Sequence, residues 1–211
     1  MDIVAAFRAY FAECPLVAII RGVRPQEVEE IGQALYDSGI RIIEVPLNSP
    51  EPLDSIGRLA SLLGDRALIG AGTVLDVDQV AAVKKVGGQL VVSPCFDAAV
   101  VKATVAAGLV SCPGYFTPTE AFGAIAAGAH ALKLFPAEAA PPAVVKAQRA
   151  VIPRSTPLLV VGSVTPDKMA GYFDSGADGF GLGGALYRPG QRAEQVLKQG
   201  RAFVEALRSR G

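Results

Sequence analysis

Two short apolar segments each carry one charged residue, and these residues are the first candidates for chemistry. Lys133 lies in "HALKLFP" (130–136) and Glu44 lies in "IRIIEVPLN" (40–48). An amine in apolar surroundings loses hydration, so its pKa falls and its neutral form can attack a carbonyl carbon. A carboxylate beside it can transfer protons. The two residues predict Schiff-base chemistry. The structural alternatives are a lysine whose head reaches solvent and a buried ion pair, in which Arg21 could also be the partner of Glu44.

Other catalytic groups are scarce in this sequence. The chain has one histidine, His130, and three scattered cysteines, Cys14, Cys95 and Cys112. Neither set has the spacing of a zinc site or of a disulfide framework, and no Ser-His-Asp set can be assembled. We therefore expect no metal and no cofactor, and a structural role for His130. An odd, scattered set of cysteines fits a reducing compartment, so a cytoplasmic protein is expected.

The length and composition favour a single globular domain. No linker or composition break divides residues 1–211, which are enough for one large core. The formal net charge is zero and there is no basic run, which argues against nucleic acid as a partner. No apolar stretch reaches the roughly 18 residues of a transmembrane helix, so no membrane partner is expected. The start, "MDIVAAFRAYFAECP", predicts a short amphipathic helix and not a signal peptide.

A unit of helix, glycine and apolar run recurs along the chain. The glycines are placed to end helices in the left-handed conformation, at Gly39, Gly87, Gly108, Gly128 and Gly176. The apolar run that follows each is typical of a strand buried on both faces. Eight strands are predicted, at residues 17–22, 41–47, 67–72, 89–94, 109–114, 131–136, 157–163 and 179–184.

Strands and helices that alternate in this way predict an α/β fold, a single (β/α)₈ TIM barrel with a short N-terminal helix. A doubly wound open sheet is the alternative, which "GFGLGG" (179–184) favours by matching the dinucleotide motif G-x-G-x-x-G. Too little chain follows that motif to complete another strand–helix–strand unit, so we reject it. Alternate side chains of a barrel strand point inward. Lys133 and Glu44 are therefore expected inside the barrel, near the C-terminal end where barrel enzymes place their chemistry.

Two pairs of small residues end the last two predicted strands and lead into the loops that follow. Gly162 stands beside Ser163, and Gly183 stands beside Gly184. Barrel enzymes commonly hold a phosphate on backbone N–H groups in the loops after strands 7 and 8. The pairs therefore predict a phosphate site, although tight turns would explain them equally well.

Two further polar residues end predicted strands. Arg21 lies in "IIRGV" and could neutralise an acid group, and Thr73 lies in "GAGTV" and could hold a carboxylate or a water. The alternatives are a solvated arginine at the rim and a helix N-cap, for which Thr73 and Asp76 are both candidates.

Six segments, taken together and in order, resemble the 2-keto-3-deoxy-6-phosphogluconate/6-phosphogalactonate aldolase family: "IIRGV", "EVPLNSP", "IGAGTVLDVDQV", "LKLFPAE", "VVGSVTP" and "GLGGALY". The resemblance covers nearly the whole chain. It implies a class I aldolase on a small (β/α)₈ barrel, usually a homotrimer. Its substrate is a phosphorylated 2-keto-3-deoxy sugar acid, which it cleaves into pyruvate and D-glyceraldehyde 3-phosphate. By this resemblance Lys133 is the Schiff-base lysine and Glu44 the catalytic acid and base.

The resemblance also implies roles for the binding residues. Thr73 and Arg21 match positions around the keto acid, and Gly162, Gly183 and Gly184 match the phosphate end. Ser163 stands where phosphogluconate members have glycine, which is a departure in the phosphate contacts.

Two features resemble the phosphogalactonate branch of the family. The segment "EVPLNSP" places Asn48 where phosphogluconate members have an arginine, and Val161 lies where the C4 hydroxyl is sensed. The expected substrate is therefore 2-dehydro-3-deoxy-6-phosphogalactonate, in galactonate catabolism. The nearest alternative is the same chemistry on 2-dehydro-3-deoxy-6-phosphogluconate or 4-hydroxy-2-oxoglutarate. More distant alternatives are a metal-free phosphate-binding isomerase or epimerase, with Glu44 as base, and a non-catalytic sugar-phosphate binding protein.

Overall fold

The structure, a computed structural model, describes residues 2–209 and forms a (β/α)₈ barrel in which every strand pairing is parallel. Within this range the strands are β1 (Leu16–Ile19), β2 (Ile42–Pro46), β3 (Leu68–Gly72), β4 (Leu90–Val92), β5 (Val110–Cys112), β6 (Gly114–Tyr115), β7 (Leu132–Leu134), β8 (Leu158–Val161) and β9 (Gly179–Leu182). The α-helices are α1 (Ile3–Glu13), α2 (Val28–Ser38), α3 (Pro52–Leu63), α4 (Val77–Lys85), α5 (Ala98–Ala106), α6 (Pro118–Ala126), α7 (Pro142–Arg149), α8 (Pro166–Asp174) and α9 (Ala193–Arg208). A short 3₁₀ helix spans Ala137–Ala139.

The fifth predicted strand is divided into two short strands by a proline. β5 pairs with β4 on one side and β6 pairs with β7 on the other, and Pro113 alone separates them. Proline has no N–H to donate and interrupts a ladder. Its carbonyl still accepts from the N–H of Lys133 at 2.9 Å. The two segments thus close the barrel as one bent strand, which accounts for nine strands where eight were predicted.

The five predicted helix-ending glycines all adopt the left-handed conformation. Their φ values are 106° at Gly39, 90° at Gly87, 75° at Gly108, 99° at Gly128 and 100° at Gly176. Each lets the chain leave a helix and enter the next strand without steric strain. Most of the predicted strands were one to three residues too long at their C-terminal ends, although β3 ends at Gly72 as predicted. Arg21 and the pairs at 162–163 and 183–184 therefore lie in loops.

Apolar side chains form two separate clusters, one between the strands and the helices and one inside the barrel. Leu132 and Leu134 belong to the outer cluster, whereas Ala131 and Ile42 belong to the inner one. This alternation confirms the predicted faces of β2 and β7. Lys133 and Glu44 therefore point into the barrel.

Helix α1 precedes the first strand and does not belong to the repeating strand–helix units. It contacts β2, β3 and β5, and Phe7 of this helix is buried in the inner cluster. No helix within residues 2–209 is both long enough and apolar enough to cross a membrane.

Candidate active site

Lys133 and Glu44 are both buried inside the barrel, on strands β7 and β2. The exposed fraction is 5% for Lys133 and 1% for Glu44. They line the same small void, together with Cys112 of β5. The topology has thus brought together two charged residues that are 89 positions apart in the chain, and it has placed both in apolar surroundings.

Burial changes the proton affinity of both groups. Desolvation raises the pKa of Glu44 to about 7, against the opposing charges of Lys133 and then Arg21. Desolvation also lowers the pKa of Lys133, against the opposing charge of Glu44. Loss of water disfavours whichever form is charged, and here it exceeds the attraction between the two groups. Burial therefore brings the pKa of Glu44 close to neutral pH, as acid–base catalysis requires, and it favours the neutral amine of Lys133.

The carboxylate of Glu44 is not consumed by structural hydrogen bonds. Within residues 2–209 its Oε2 atom is buried and accepts no hydrogen bond. An unpaired buried polar group costs about 1–3 kcal/mol. Because this unpaired oxygen does not stabilise the fold, it is typical of a group that is held for chemistry.

Gly72, the last residue of β3, makes room for that carboxylate. A side chain at position 72 would collide with Oε1 and Oε2 of Glu44. Sequence reasoning missed this residue. The available signal was the second glycine of "GAGTV". A glycine at the end of a barrel strand indicates that another group approaches the backbone there.

A cavity of about 580 Å³ opens above the pair at the C-terminal end of the barrel. This volume lies within the range of small-molecule sites. Lys133 lies in the wall of this cavity. Glu44 lies below the cavity and lines the small void, which Val161 also lines. All seven residues predicted to bind substrate line the cavity: Arg21, Thr73, Val161, Gly162, Ser163, Gly183 and Gly184.

One end of the cavity is lined by a small polar network. Nη1 of Arg21 donates to Oδ1 of Asn48 and, at 3.4 Å, to Oγ1 of Thr73. Arg21 is thus held at the mouth and is not simply solvated. Thr73 does not cap a helix, because Asp76 does so by accepting from the N–H groups of Asp78 and Gln79. With φ at 58°, Thr73 has a strained backbone of the kind found at functional sites.

A second end of the cavity is formed by the two predicted loops. Gly162 and Ser163 form a left-handed turn, with φ of 122° and 38°. The Ser163 hydroxyl donates to Oε1 of Glu138, which lies behind this turn. Among residues 2–209, no atom outside the adjoining backbone lies within 4 Å of the position that a Cβ would take at Gly183 or Gly184, so the second loop is open.

Two residues at this end were missed by sequence reasoning. Arg188 lines the cavity, and its Nε donates to the Gly184 carbonyl at 3.0 Å. Glu138 supports the Ser163 turn. The arginine in "ALYRPG" was a signal for the first, since it directly follows the glycine loop. Nothing in the sequence indicated the second.

Residues 8–196 match the family described as "KDPG and KHG aldolase". A 2-dehydro-3-deoxy-6-phosphogalactonate aldolase of Escherichia coli (strain K12) is 46% identical over 194 residues, which are 92% of this chain and 95% of the relative. The chain belongs to the KDPG and KHG aldolase family. It is an aldolase, and hence a lyase.

Two further similarities agree with the assignment of this chain to the aldolase family. A probable 2-dehydro-3-deoxy-6-phosphogalactonate aldolase of Rhizobium meliloti (strain 1021) is 44% identical, with 92% of each chain covered. A solved structure described as "Native KDPGal structure" superposes with a TM-score of 0.92 at 45% identity, and covers 93% of this aldolase and 96% of that chain.

His130 of the aldolase has a structural contact, as predicted. Its Nδ1 accepts from the N–H of Ser111 at 3.0 Å, and partial burial lowers its pKa. In the part of the chain that the structure describes, no three His, Cys, Asp or Glu side chains come together in a group that could hold a metal ion.

Proposed function

We propose that this aldolase cleaves 2-dehydro-3-deoxy-6-phosphogalactonate into pyruvate and D-glyceraldehyde 3-phosphate through a Schiff base on Lys133. The observation that carries the proposal is the burial of Lys133 in the wall of the 580 Å³ cavity, where it shares a small void with Glu44. The names of the two curated relatives support the choice of substrate.

Lys133 provides the nucleophile and the electron sink. Its neutral amine attacks C2 of the keto acid, and loss of water leaves an iminium ion. The positive charge of the iminium draws the electrons of the C3–C4 bond as that bond breaks. The desolvation that lowers the lysine pKa favours the neutral amine that begins this sequence.

Glu44 moves the protons. Its carboxylate accepts the proton of the C4 hydroxyl through a water, the C3–C4 bond breaks, and the aldehyde product leaves. The same residue then returns the proton to C3 of the enamine, and hydrolysis of the resulting iminium frees pyruvate and Lys133. A pKa near 7 suits both directions of transfer.

The two ends of the cavity suit the two charged ends of the substrate. We assign the keto acid carboxylate to Arg21 and Thr73, because a guanidinium and a hydroxyl meet there. We assign the phosphate to the loops that contain Gly162, Gly183 and Gly184, where backbone N–H groups can approach an anion. Arg188, on the rim of the second loop, supplies a positive charge at this end.

Val161 is our candidate for the residue that selects the epimer. It lies in the wall of the cavity and of the void around Glu44. An apolar side chain cannot hydrogen-bond a C4 hydroxyl, so it favours the epimer whose hydroxyl finds its partner elsewhere.

We further propose a homotrimer in the cytoplasm, as the family resemblance implies. Several large apolar side chains are exposed, and contact between subunits would cover part of this surface. Within residues 2–209 they are Leu62, Leu75, Val77, Val105, Phe116, Phe122, Phe135 and Val151. The cysteines are free thiols, which suits a reducing compartment. Light scattering of the purified protein should give the mass of three chains.

Borohydride trapping tests the proposed function. Incubation with pyruvate and borohydride should inactivate the protein and add a reduced pyruvate group to the Lys133 peptide, as measured by mass spectrometry. Lys133→Met, which keeps the apolar volume, is the control that should not be modified. Chelators should leave cleavage unchanged. An unmodified Lys133 in an inactivated sample, or loss of activity with a chelator, would contradict the proposal.

A further inference from the structure

Helix α1 covers the N-terminal mouth of the barrel, opposite the substrate cavity. Phe11 packs against Gly179 at the start of β9. The hydroxyl of Tyr10 donates to the carbonyl of Asp65, shortly before β3, at 3.1 Å. The helix is therefore fixed to the starts of strands on different sides of the barrel, although it is not needed to complete the strand–helix repeat.

Phe7 is the residue of α1 that is buried inside the barrel. It is 2% exposed, and it lines a void of about 10 Å³ whose wall also contains Glu44 and Lys133. A void of this size is at the lower limit for a single water molecule. Water consequently has no room to collect beneath the two catalytic groups.

We propose that Phe7 is a positioning residue of the active site, whose ring seals the floor of the barrel and keeps Glu44 and Lys133 from being hydrated from below. This inference rests on the proposed function. The strands surround Glu44 and Lys133 on all sides, and substrate can fill the cavity above them. In the part of the chain that the structure describes, the floor is the one boundary of the void formed by a segment outside the barrel.

The reactivity of the pair depends on this exclusion of water. Burial is the largest cause both of the raised pKa of Glu44 and of the lowered pKa of Lys133. Few other groups shift these two pKa values. Glu44 and Lys133 each shift the pKa of the other, Arg21 shifts both, and Cys112 shifts that of Lys133. Apart from Gly181 of β9, the other residues around the void come from α1, β1, β4 and β8 and have apolar side chains: Phe7, Val17, Ile19, Leu90, Val92, Leu159 and Val161.

The test compares three variants in the full chain by the pH dependence of pyruvate trapping with borohydride. Phe7→Ala opens the floor, so Lys133 is hydrated and a smaller fraction is neutral. The trapping rate at pH 7 should fall roughly tenfold and recover as the pH rises. Phe7→Leu keeps an apolar group in place and should restore the wild-type profile. Tyr10→Phe, on the same helix, removes the hydrogen bond to the Asp65 carbonyl but keeps the ring, and it should lower Tm alone.

The outcomes separate the two hypotheses. If wild-type Lys133 is not trapped, the proposed function fails. If the wild type is trapped and Phe7→Ala has the same pH profile with only a lower Tm, Phe7 is merely structural and this inference fails alone. Should Phe7→Ala not fold, Phe7→Val removes less volume and should give a smaller displacement of the profile in the same direction. An unchanged profile in a folded Phe7→Val protein would also overturn the inference.

Discussion

The backbone of Gly72 lies directly against the carboxylate of Glu44, so that no side chain can be placed at position 72 without moving that carboxylate. We therefore predict that Gly72→Ala folds but turns over slowly. Displacement of a catalytic group by about 1 Å can cost roughly 100-fold in rate. Steady-state cleavage assays measure the loss. The matched control is Gly57→Ala in helix α3, where the added methyl makes only ordinary contacts with Val86 at 3.7 Å and beyond. Equal activity of both variants would show that the carboxylate can move freely.

Removal of the charge of Glu44 separates its proton transfer from a structural role. Glu44→Gln should retain the fold and still be trapped by pyruvate and borohydride, because Lys133 remains. Turnover should fall by roughly 10²- to 10⁴-fold, the usual contribution of a general acid and base. If the variant unfolds and the remaining folded molecules turn over normally, Glu44 is only an ion-pair partner.

The raised pKa of Glu44 predicts a stability that decreases with pH. Its ordinary pKa is 4.5, and in the folded protein the pKa is about 7. Between these values the unfolded chain releases the proton before the folded one, so this stabilising contribution is complete below pH 4.5 and is lost as the pH rises through 7. The loss is about 3 kcal/mol.

Urea unfolding of the wild type and of Glu44→Gln at pH 5 and pH 8 measures this effect. The wild type should lose about 3 kcal/mol relative to the variant between the two pH values. The lowered pKa of Lys133 acts in the opposite direction, but the lysine is present in both proteins and largely cancels in the comparison. A difference that does not depend on pH would show that Glu44 ionises normally.

The hydrogen bond from Ser163 to Glu138 predicts a selective effect on phosphate binding. Ser163 has φ at 38°, and its hydroxyl bond to Glu138 holds this left-handed turn in place. Glu138→Ala should raise KM for the phosphorylated substrate by about 10-fold, the scale of a lost charged hydrogen bond. Pyruvate trapping, which involves no phosphate, should be unchanged.

Glu138→Gln is the matched control for this prediction. Its amide oxygen can still accept from Ser163, so KM should stay close to the wild-type value. A lower KM in Glu138→Ala would mean that the carboxylate repels the phosphate and does not support the turn.

From the apolar side chain of Val161 we predict which of the two epimeric substrates is preferred. The wild type should cleave the phosphogalactonate epimer better than the phosphogluconate epimer. Val161→Thr adds a hydroxyl and should shift the ratio of the kcat/KM values toward the phosphogluconate epimer by about 5- to 150-fold, which corresponds to about 1–3 kcal/mol. Both epimers are assayed side by side. A wild type that prefers the phosphogluconate epimer would overturn the substrate assignment and leave the aldolase chemistry intact.

Local sequence pattern was sufficient for much of the fold. The period-two alternation that places Lys133 and Glu44 inside the barrel depends only on neighbouring residues, because successive side chains of a strand point to opposite faces. The five helix-ending glycines are likewise local, since a positive φ is a property of one residue. These signals determined the barrel, the inward direction of the two candidate residues and the loops that line the cavity.

Contacts between distant segments were decided only by the tertiary structure. The pattern of "GAGTV" does not show that Gly72 meets Glu44, because those residues lie on adjacent strands whose register is set by the whole sheet. Nor does the sequence show that Glu138 supports Ser163, 25 positions away. The sealing of the barrel floor by Phe7 is of the same kind. In each case the decisive quantity is the space left by a neighbour that is remote in the chain, and packing, not local periodicity, determines that space.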